Sequence, residues 1–278
     1  MEIINYRIKC KSRSDKFYVV PISDCHIGTK NCDMEKLKGT VEWIKKTKNV
    51  YWYDNGDSID SINFSDKRFD PRDIEDEVDL HDLARSQADM YCSLMKPIAE
   101  RCICKLSGNH EETLGRKYHF DVNNYICGKL GVRNAGYNAY INLFFMRGVG
   151  SSTLKIFSSH GFGGGRSVGA KINNIVSIGN MFLADVYVMG HNHEKVVKDA
   201  EILDCTNSAK NPHLLARKRL YILAGSFLKT FEQGQTSYGE IKVYPPIPTG
   251  FTKIFIEPHR HKRVNGISTD YVHFHGYA

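Results

Sequence analysis

The order of the predicted elements indicates an α/β fold in which two β-sheets pack face to face and helices cover their outer faces. The first half of the chain alternates between short apolar runs, typical of strands, and amphipathic stretches, typical of helices. From about Tyr137 onward the sequence becomes richer in strand-like runs. Polar motifs follow five of these runs, and open α/β sheets bind their ligands beyond the carboxyl ends of the strands.

The first half predicts three strands with helices between and after them. The strands are residues 17–22, 50–53 and 102–106. The helices are residues 34–48, 80–98 and 120–130. In the first helix Leu37, Val41 and Ile44 recur at helical spacing, and Asp33 is a suitable N-cap before it. Pro97 is expected to end or kink the second helix.

The second half predicts an antiparallel pair of strands, then one helix among further strands. Residues 139–145 and 153–157 form the pair, joined by a turn at 147–150. The helix is predicted at residues 167–182, and the further strands at residues 186–189, 194–203, 219–223, 241–244 and 253–256. We expect residues 1–278 to form a single domain, with a motif-bearing core at about 17–258 and a C-terminal tail at about 259–278.

The composition is that of a soluble globular protein with a moderate positive charge. A formal net charge of +7 suits a polyanion such as nucleic acid, although soluble enzymes commonly have this balance as well. No apolar run approaches the roughly 20 residues of a membrane helix, and the N-terminus lacks the apolar core of a signal peptide. Eight scattered cysteines in such a chain predict reduced thiols. We therefore expect a cytoplasmic protein without a membrane partner.

Five motifs that follow predicted strands carry side chains able to bind metal ions. They are Asp24-Cys25-His26, Gly56-Asp57-Ser58-Ile59-Asp60, Gly108-Asn109-His110-Glu111, His160-Gly161 and Gly190-His191-Asn192-His193. Mixed oxygen and nitrogen ligands suit transition-metal cations better than Mg²⁺ or Ca²⁺. Asp24 and His26 alone could be a helix cap and a polar loop residue, and His160 alone could be a core histidine bonded to backbone. Taken together, the motifs predict a metal centre.

In this order the motifs resemble the signature of the calcineurin-like metallophosphoesterase superfamily, which is Asp-x-His, Gly-Asp-x-x-Asp, Gly-Asn-His-Asp/Glu, His and Gly-His-x-His. Every position is filled within about residues 17–195. The resemblance implies a four-layer α/β/β/α sandwich of two mixed sheets and a metal-dependent phosphoric ester hydrolase. Protein Ser/Thr phosphatases of the superfamily carry Arg where this chain has Ser61, and they lack Gly-His-x-His. Both features resemble the nuclease and phosphodiesterase branch.

The resemblance also implies a role for each motif residue. The first metal ion would be held by Asp24, His26 and His193. The second would be held by Asn109, His160 and His191. Asp57 would bridge the two ions, and Asp60 would support the site without binding metal. His110 would lie beside the scissile phosphate, where it is the candidate proton donor to the leaving alkoxide, and Glu111 would orient or polarise His110.

A binuclear metal centre of this kind has a defined chemistry. A carboxylate that bridges two cations about 4 Å apart lets them share a hydroxide, which is a nucleophile near neutral pH. The same cations offset the charge on the phosphoryl oxygens in the transition state. We expect two divalent ions, Mn²⁺ first, with Fe, Zn²⁺ or Ni²⁺ as alternatives.

The glycine-rich stretch Gly161–Arg166 directly follows the His160 motif. Consecutive glycines let backbone N–H groups approach an anion, and Arg166 could bind a phosphate bidentately. The alternative is a mobile loop whose arginine is solvated.

The expected function is therefore a phosphodiesterase acting on nucleic acid, DNA or RNA, or on nucleotides. A phosphomonoesterase acting on a metabolite or phosphoprotein is the alternative. A non-catalytic, nucleic-acid-associated scaffold is a third reading, because a fold does not by itself imply its chemistry. The sequence leaves the natural substrate and the oligomeric state open.

Overall fold

The computed structural model describes residues 1–207, 209–234, 238–264 and 267–278. Its strands, in chain order, are β1 (Glu2–Lys9), β2 (Phe17–Ile22), β3 (Val50–Asp54), β4 (Cys102–Lys105), β5 (Asn138–Arg147), β6 (Gly150–Ser159), β7 (Val186–Met189), β8 (Lys195–Cys205), β9 (Leu214–Ser226), β10 (Gly250–Phe251), β11 (Lys253–Val264) and β12 (Ile267–Tyr277). The α-helices are α1 (Met34–Lys46), α2 (Leu83–Met95), α3 (Asn109–Tyr118), α4 (Val122–Leu130), α5 (Val168–Met181) and α6 (Tyr238–Ile241). Short 3₁₀ helices occupy Pro71–Asp73, Leu80–Asp82 and Lys96–Arg101.

Within these residues the strands form two mixed sheets. The seven-stranded sheet has the order β1-β5-β6-β7-β9-β10, with β8 also paired to β9. The five-stranded sheet has the order β12-β11-β2-β3-β4. Strands β2, β3 and β4 run parallel in one sheet, and β6, β7 and β9 run parallel in the other. Antiparallel pairs such as β5–β6 and β11–β12 complete both sheets, so the predicted pair of mixed sheets is confirmed.

Three apolar clusters separate the layers. Val19 and Tyr53 of the five-stranded sheet share a buried cluster with Ile141, Val186 and Leu220 of the seven-stranded sheet, so the two sheets face each other. On the other side of the five-stranded sheet, Val20 and Trp52 of the strands share a buried cluster with residues of three helices: Leu37 of α1, Tyr91 of α2 and Ile126 of α4. On the outer face of the seven-stranded sheet, Ile175 and Ile178 of α5 share a buried cluster with Tyr187 of β7 and Tyr221 of β9. The four-layer α/β/β/α order is confirmed.

Helix α1 forms where its periodicity and cap predict it. Its apolar face, Leu37, Val41 and Ile44, is buried, and burying each such side chain contributes about 1.5–3 kcal/mol. The Asp33 carboxylate accepts a hydrogen bond from the backbone N–H of Lys36 at 3.2 Å, which satisfies an otherwise unpaired amide of the first turn.

Several local elements of the structure differ from the prediction. The strand predicted at residues 241–244 is wrong: α6 ends at Ile241, and Val243 and Tyr244 are exposed, so this apolar run has no buried face. Strand β1 was not predicted, although its alternation buries Ile4 and Ile8 against the seven-stranded sheet. Helix α3 was not predicted either, and it opens within the third motif.

Residues of the predicted C-terminal tail, at about 259–278, contribute to the five-stranded sheet. The end of β11 and the whole of β12 fall within 259–278, and the two strands pair antiparallel. The side chain of Phe274 on β12 is buried in the cluster between the sheets. Part of the predicted tail therefore lies in the core. Among the described residues, no helix has the length and apolarity needed to span a membrane.

Candidate metal centre

The five motifs lie together where β2, β3, β4, β6 and β7 end. The loops after β2 and β3 run side by side, because the N–H of Asp24 donates to the carbonyl of Gly56 at 3.0 Å and the N–H of His26 to that of Asp57 at 3.1 Å. The Asn55 side chain crosses to the other sheet and donates to the carbonyl of Ser159 at 3.1 Å. These bonds bring the carboxyl ends of strands from both sheets to one edge.

Asp24, His26 and His193 form the first ligand group. The Nε2 atom of His193 lies 3.3 Å from Nε2 of His26 and 3.3 Å from Oδ1 of Asp24. The ligand atoms of all three side chains lie within 4.8 Å of one another. The residues that the sequence assigns to the first metal ion are therefore neighbours in space.

Asp57, Asn109, His160 and His191 form the second ligand group. The Nε2 atom of His160 lies 3.2 Å from Oδ2 of Asp57 and 3.1 Å from Oδ1 of Asn109. The Nδ1 atom of His191 lies 2.8 Å from the same Asn109 oxygen. The backbone contact considered above for His160 is also present, because its Nδ1–H donates to the carbonyl of Asn55 at 2.8 Å.

The two groups fit transition-metal cations by donor type and by spacing. Together they hold two carboxylates, one amide oxygen and four imidazoles, a set that suits Mn²⁺, Fe or Zn²⁺. Two ligands of one such cation, each about 2.1 Å from it, lie about 3 Å apart. Five separations within the groups, 2.8–3.3 Å, are close to that value, and Nε2 of His26 lies farther, 3.9 Å, from Oδ1 of Asp24.

Five of the predicted ligands adopt left-handed backbone conformations that non-glycine residues rarely use. Their φ angles are 52° for Asp24, 49° for His26, 52° for Asp57, 63° for His191 and 59° for His193. Each such residue costs about 1–2 kcal/mol. Strain of this kind persists where the surrounding structure enforces it, and it concentrates at functional sites.

Two motif glycines lie so close to the carboxylates of Asp57 and Asp24 that no side chain fits at either position. A Cβ atom on Gly108 would lie 2.1 Å from Oδ1 of Asp57, and one on Gly190 would lie 2.2 Å from the Ser23 hydroxyl and 2.8 Å from Oδ2 of Asp24. Any larger residue would therefore displace a predicted ligand.

Backbone amides orient both carboxylates. The N–H of His110 donates to Oδ1 of Asp57 at 3.0 Å. The N–H of His191 donates to the two oxygens of Asp24 at 3.2 and 3.0 Å. Each carboxylate is thus fixed by an amide from a different motif, which links the motifs to one another.

The charges around the ligand groups keep both aspartates ionised. Burial raises the pKa of Asp57, but neighbouring histidines, His160 first, outweigh it and hold that pKa well below its ordinary value. The pKa of Asp24 is also lowered, because its hydrogen bond with His193 and the charge of that ring outweigh burial. Burial lowers the pKa of His160, but the charge of Asp57 outweighs it and raises the pKa to about 10.

His110 lies beside both ligand groups. Its Nδ1–H donates to the carbonyl oxygen of Asp60, so Nε2 is the ring atom left to exchange a proton. This Nε2 lies 4.0 Å from Oδ2 of Asp57, and the ring meets His26 edge-on with centroids 4.8 Å apart. Burial lowers the pKa of His110, but the charges of Asp57 and Asp60 outweigh it and raise the pKa above its ordinary value.

Asp60 stands behind an imidazole of the first ligand group. Its Oδ1 lies 3.6 Å from Nδ1 of His26. At this separation the two side chains form no hydrogen bond, and Nδ1 of His26 has no hydrogen-bond partner among the described residues. The supporting role of Asp60 therefore stays a prediction.

Glu111 forms no hydrogen bond with the His110 ring, which the resemblance implies that it orients or polarises. Its carboxylate accepts hydrogen bonds from the N–H groups of Asp57, Ser58 and Gly108 at 3.0, 2.8 and 2.9 Å. It therefore orients the loop that carries Asp57, whereas the carbonyl of Asp60 orients the His110 ring. The reason is that Glu111 occupies the third position of α3, where its side chain folds back to cap the helix.

Sequence reasoning missed a buried charge network beneath the second motif. Lys105, 1% exposed, donates to Oδ2 of Asp54 at 2.8 Å and lies 3.5 Å from Oε1 of Glu111. Asp54 also accepts the N–H of Gly56 at 2.8 Å and the hydroxyl of Ser58 at 2.6 Å. A lysine inside the apolar run Cys102–Leu106 was the available signal, because a lysine is rarely buried without a partner.

A cavity of about 650 Å³ opens over the two ligand groups, and Arg166 is part of its lining. The arginine is exposed, and its Nη2 donates to the carbonyl of Lys242 at 3.4 Å. The glycine-rich loop is thereby joined to the segment that follows α6. Arg166 thus lies in the cavity where the sequence places a phosphate-binding residue.

No protein-family model matches the chain, and no curated protein matches it. Several solved structures are similar to it. Vacuolar protein sorting 29 from Cryptosporidium parvum is 12% identical over 95% of this chain and 98% of its own, with a TM-score of 0.37. A metallophosphoesterase from Sphaerobacter thermophilus is 11% identical over 94% and 89% of the two chains, with a TM-score of 0.37. The NAD nucleotidase of Haemophilus influenzae is 12% identical over 92% of this chain and 49% of its own, with a TM-score of 0.40. The chemistry of this chain therefore has to be inferred from the geometry of its own residues.

Proposed function

We propose that this protein is a two-metal-dependent phosphodiesterase acting on nucleic acid or nucleotides. One observation carries the proposal: seven side chains from five separate motifs meet in two adjacent ligand groups at one edge of the sandwich. Ordinary turns and caps would not require such convergence. The strained backbone at five of these residues supports the same conclusion.

In the proposal each ligand group holds one divalent cation. Asp24, His26 and His193 would bind the first ion. Asn109, His160 and His191 would bind the second, and Asp57 would be shared. Mn²⁺ is the proposed ion, with Fe, Zn²⁺ or Ni²⁺ as alternatives. Bound cations would acidify water and offset the negative charge of a phosphoryl group.

The chain's own residues would then position the ester and move a proton. His110 would carry the proton on Nε2 and deliver it to the leaving oxygen, since its Nδ1 is already engaged by the carbonyl of Asp60. Arg166 would bind a non-bridging phosphate oxygen at the mouth of the cavity. Asp60 would hold the ring of His26, and Glu111 would hold the loop of Asp57.

Hydrolysis of bis-p-nitrophenyl phosphate with Mn²⁺ tests the proposal. Asp57→Ala should lower kcat/KM by about 10³-fold or more, because the shared ligand is lost. Asp199→Ala is the matched control, since that side chain is 63% exposed and pairs with Lys218 on the surface. The metal content of each protein is measured in parallel.

Three outcomes would contradict the proposal. Equal rates for the wild type and Asp57→Ala would remove the metal centre from the reaction. A wild-type protein without bound transition metal would instead favour a scaffold. A higher kcat/KM for p-nitrophenyl phosphate than for the diester would favour a phosphomonoesterase over a phosphodiesterase.

A cytoplasmic location is part of the same proposal. All eight cysteines are free thiols, and seven of them are buried. Burial raises the pKa of Cys25 and of Cys104, which keeps these thiols protonated and unreactive. Free thiols throughout the chain support a reducing compartment.

A further inference from the structure

The cavity over the ligand groups has the size of a small-molecule site. Its volume is about 650 Å³, and residues of both ligand groups form its floor. Sites for small ligands commonly measure about 300–1,000 Å³. A phosphate at the floor would fill only part of this space, so most of the cavity is left for the organic group of the ester.

Part of the cavity wall is apolar, and polar and charged side chains make up much of the remaining lining. The apolar walls come from the loop between β3 and α2 and from the chain after β9, and they include Ile62, Phe69, Ile74, Leu228, Tyr244 and Ile247. A phosphate ion gains nothing from such walls. A flat aromatic group gains both from burial of its surface and from contact with the Phe69 and Tyr244 rings.

Three of the five cationic residues in the cavity lining pair with carboxylates of the chain, and Arg166 and Lys242 are the other two. Arg68 pairs with Asp66 at 2.8 Å. Lys171 pairs with Glu194 at 2.9 Å, and Lys229 pairs with Glu232 at 2.9 Å. A nucleic-acid strand is held by several lysines and arginines that each neutralise one phosphate. The paired cations here leave little charge for such a row.

We infer that the cavity binds a phosphate ester the size of a single nucleotide. The phosphate lies over the two ligand groups, and the flat organic group lies against the wall that contains Phe69. This rests on the proposed function, because the ligand groups are what holds the phosphate. The inference narrows the proposed substrate class from nucleic acids or nucleotides to nucleotides alone.

Two diesters with the same leaving group test the inference on the manganese-loaded protein. Thymidine 5′-(p-nitrophenyl phosphate) and methyl p-nitrophenyl phosphate differ only in the organic group that would enter the cavity. We expect kcat/KM to be about tenfold higher for the thymidine ester, because a base stacks and a methyl group does not. Phe69→Ala should bring the two values together.

A second phenylalanine of the same loop provides the matched control. Phe64 is 82% exposed and lies outside the cavity lining, so Phe64→Ala should preserve the wild-type ratio. If Phe69→Ala fails to fold, Tyr244→Ala in the segment after α6 is the second variant, and it should lower the same ratio.

The outcomes separate the inference from the proposed function. Equal kcat/KM values for the two diesters in the wild type would overturn the inference and leave the phosphodiesterase standing. If the metal-loaded protein hydrolysed neither diester, the proposed function would fail and the inference with it. An oligothymidylate that inhibited about tenfold more strongly than thymidine monophosphate, at near-physiological salt, would overturn the inference in favour of a strand-binding site.

Discussion

The Nζ atom of Lys105 lies 2.8 Å from Oδ2 of Asp54, and the two side chains are 1% and 2% exposed. Burial lowers the pKa of Lys105, but the charges of Asp54 and Glu111 outweigh it and raise that pKa. Both carboxylates hold the loop around Asp57, Asp54 through Gly56 and Ser58, and Glu111 through the Asp57 amide itself. A buried lysine thus supports the loop that carries the predicted shared metal ligand.

Removing this lysine should cost stability. Lys105→Met leaves Asp54 and Glu111 buried without a cation, so we expect the free energy of unfolding to fall by about 3–5 kcal/mol. Denaturant unfolding of the metal-free protein measures it. Lys45→Met is the control, because Lys45 is 53% exposed and its pair with Glu42 spans 3.7 Å, so its effect should stay within about 0.5 kcal/mol. A loss below about 1 kcal/mol for Lys105→Met would contradict the prediction.

His110→Asn should slow the reaction in a way that depends on the leaving group. Loss of a general acid lowers kcat by about 10²–10⁴-fold, and the effect is largest for alkoxides that need the proton. We therefore expect a large loss with an alkyl ester and a small loss with p-nitrophenyl esters, at unchanged metal content. His119→Asn is the control, since His119 is the C-cap that follows α3 and has the left-handed conformation that asparagine tolerates. Equal losses with both leaving groups would argue against proton donation by His110.

Glu111→Gln separates support of the loop from a direct part in the reaction. The substitution removes the charge that three backbone amides and Lys105 share, so stability should fall by about 1–3 kcal/mol and Mn²⁺ should bind more weakly. At saturating Mn²⁺, kcat should recover. Glu112→Gln is the control, because Glu112 is partly exposed and lies 3.8 Å from Arg116. A kcat that stays low with full metal content would restore the catalytic role suggested by the sequence.

Gly108, the N-cap of α3, and Gly115, inside that helix, should respond oppositely to alanine. In Gly108→Ala the new Cβ would meet Oδ1 of Asp57 at 2.1 Å, so we expect a loss of about 1–3 kcal/mol and weaker metal binding. Gly115 of α3 has no neighbour within 4 Å of a built Cβ, and Gly115→Ala should stabilise the protein by about 1 kcal/mol. Thermal unfolding and metal analysis compare the two. Full metal content in Gly108→Ala would show that the loop can shift without cost to the site.

Much of the fold could be predicted because its signals are local. The spacing of Leu37, Val41 and Ile44 fixes the buried face of α1, and Asp33 fixes its start. The alternation of apolar runs and turn residues likewise predicts β2 to β9 and β11, but not β1, β10 or β12. The strand predicted at residues 241–244 is wrong because the signal there is only local. An apolar run forms a strand only where a neighbouring element covers it, and here Val243 is exposed.

The sequence by itself determined which residue types stand at the ends of which strands, and so which side chains could meet. Parallel strands in a sheet bring their carboxyl ends to one edge, and this rule predicts that Asp24 and Asp57 are neighbours. His191 follows β7 of the other sheet, and the packing of the two sheets brings it to the same edge.

Only the tertiary structure decided what each charged group does there. The carboxylate of Glu111 turns to the Asp57 loop, Lys105 is buried beneath that loop, and Phe69 lines the cavity above the ligands. These contacts join residues far apart in the chain, and their partners are selected by packing and by the need to neutralise buried charge. A local pattern, such as the lysine inside the apolar run Cys102–Leu106, can signal a buried charge, but it does not show which residues are its partners.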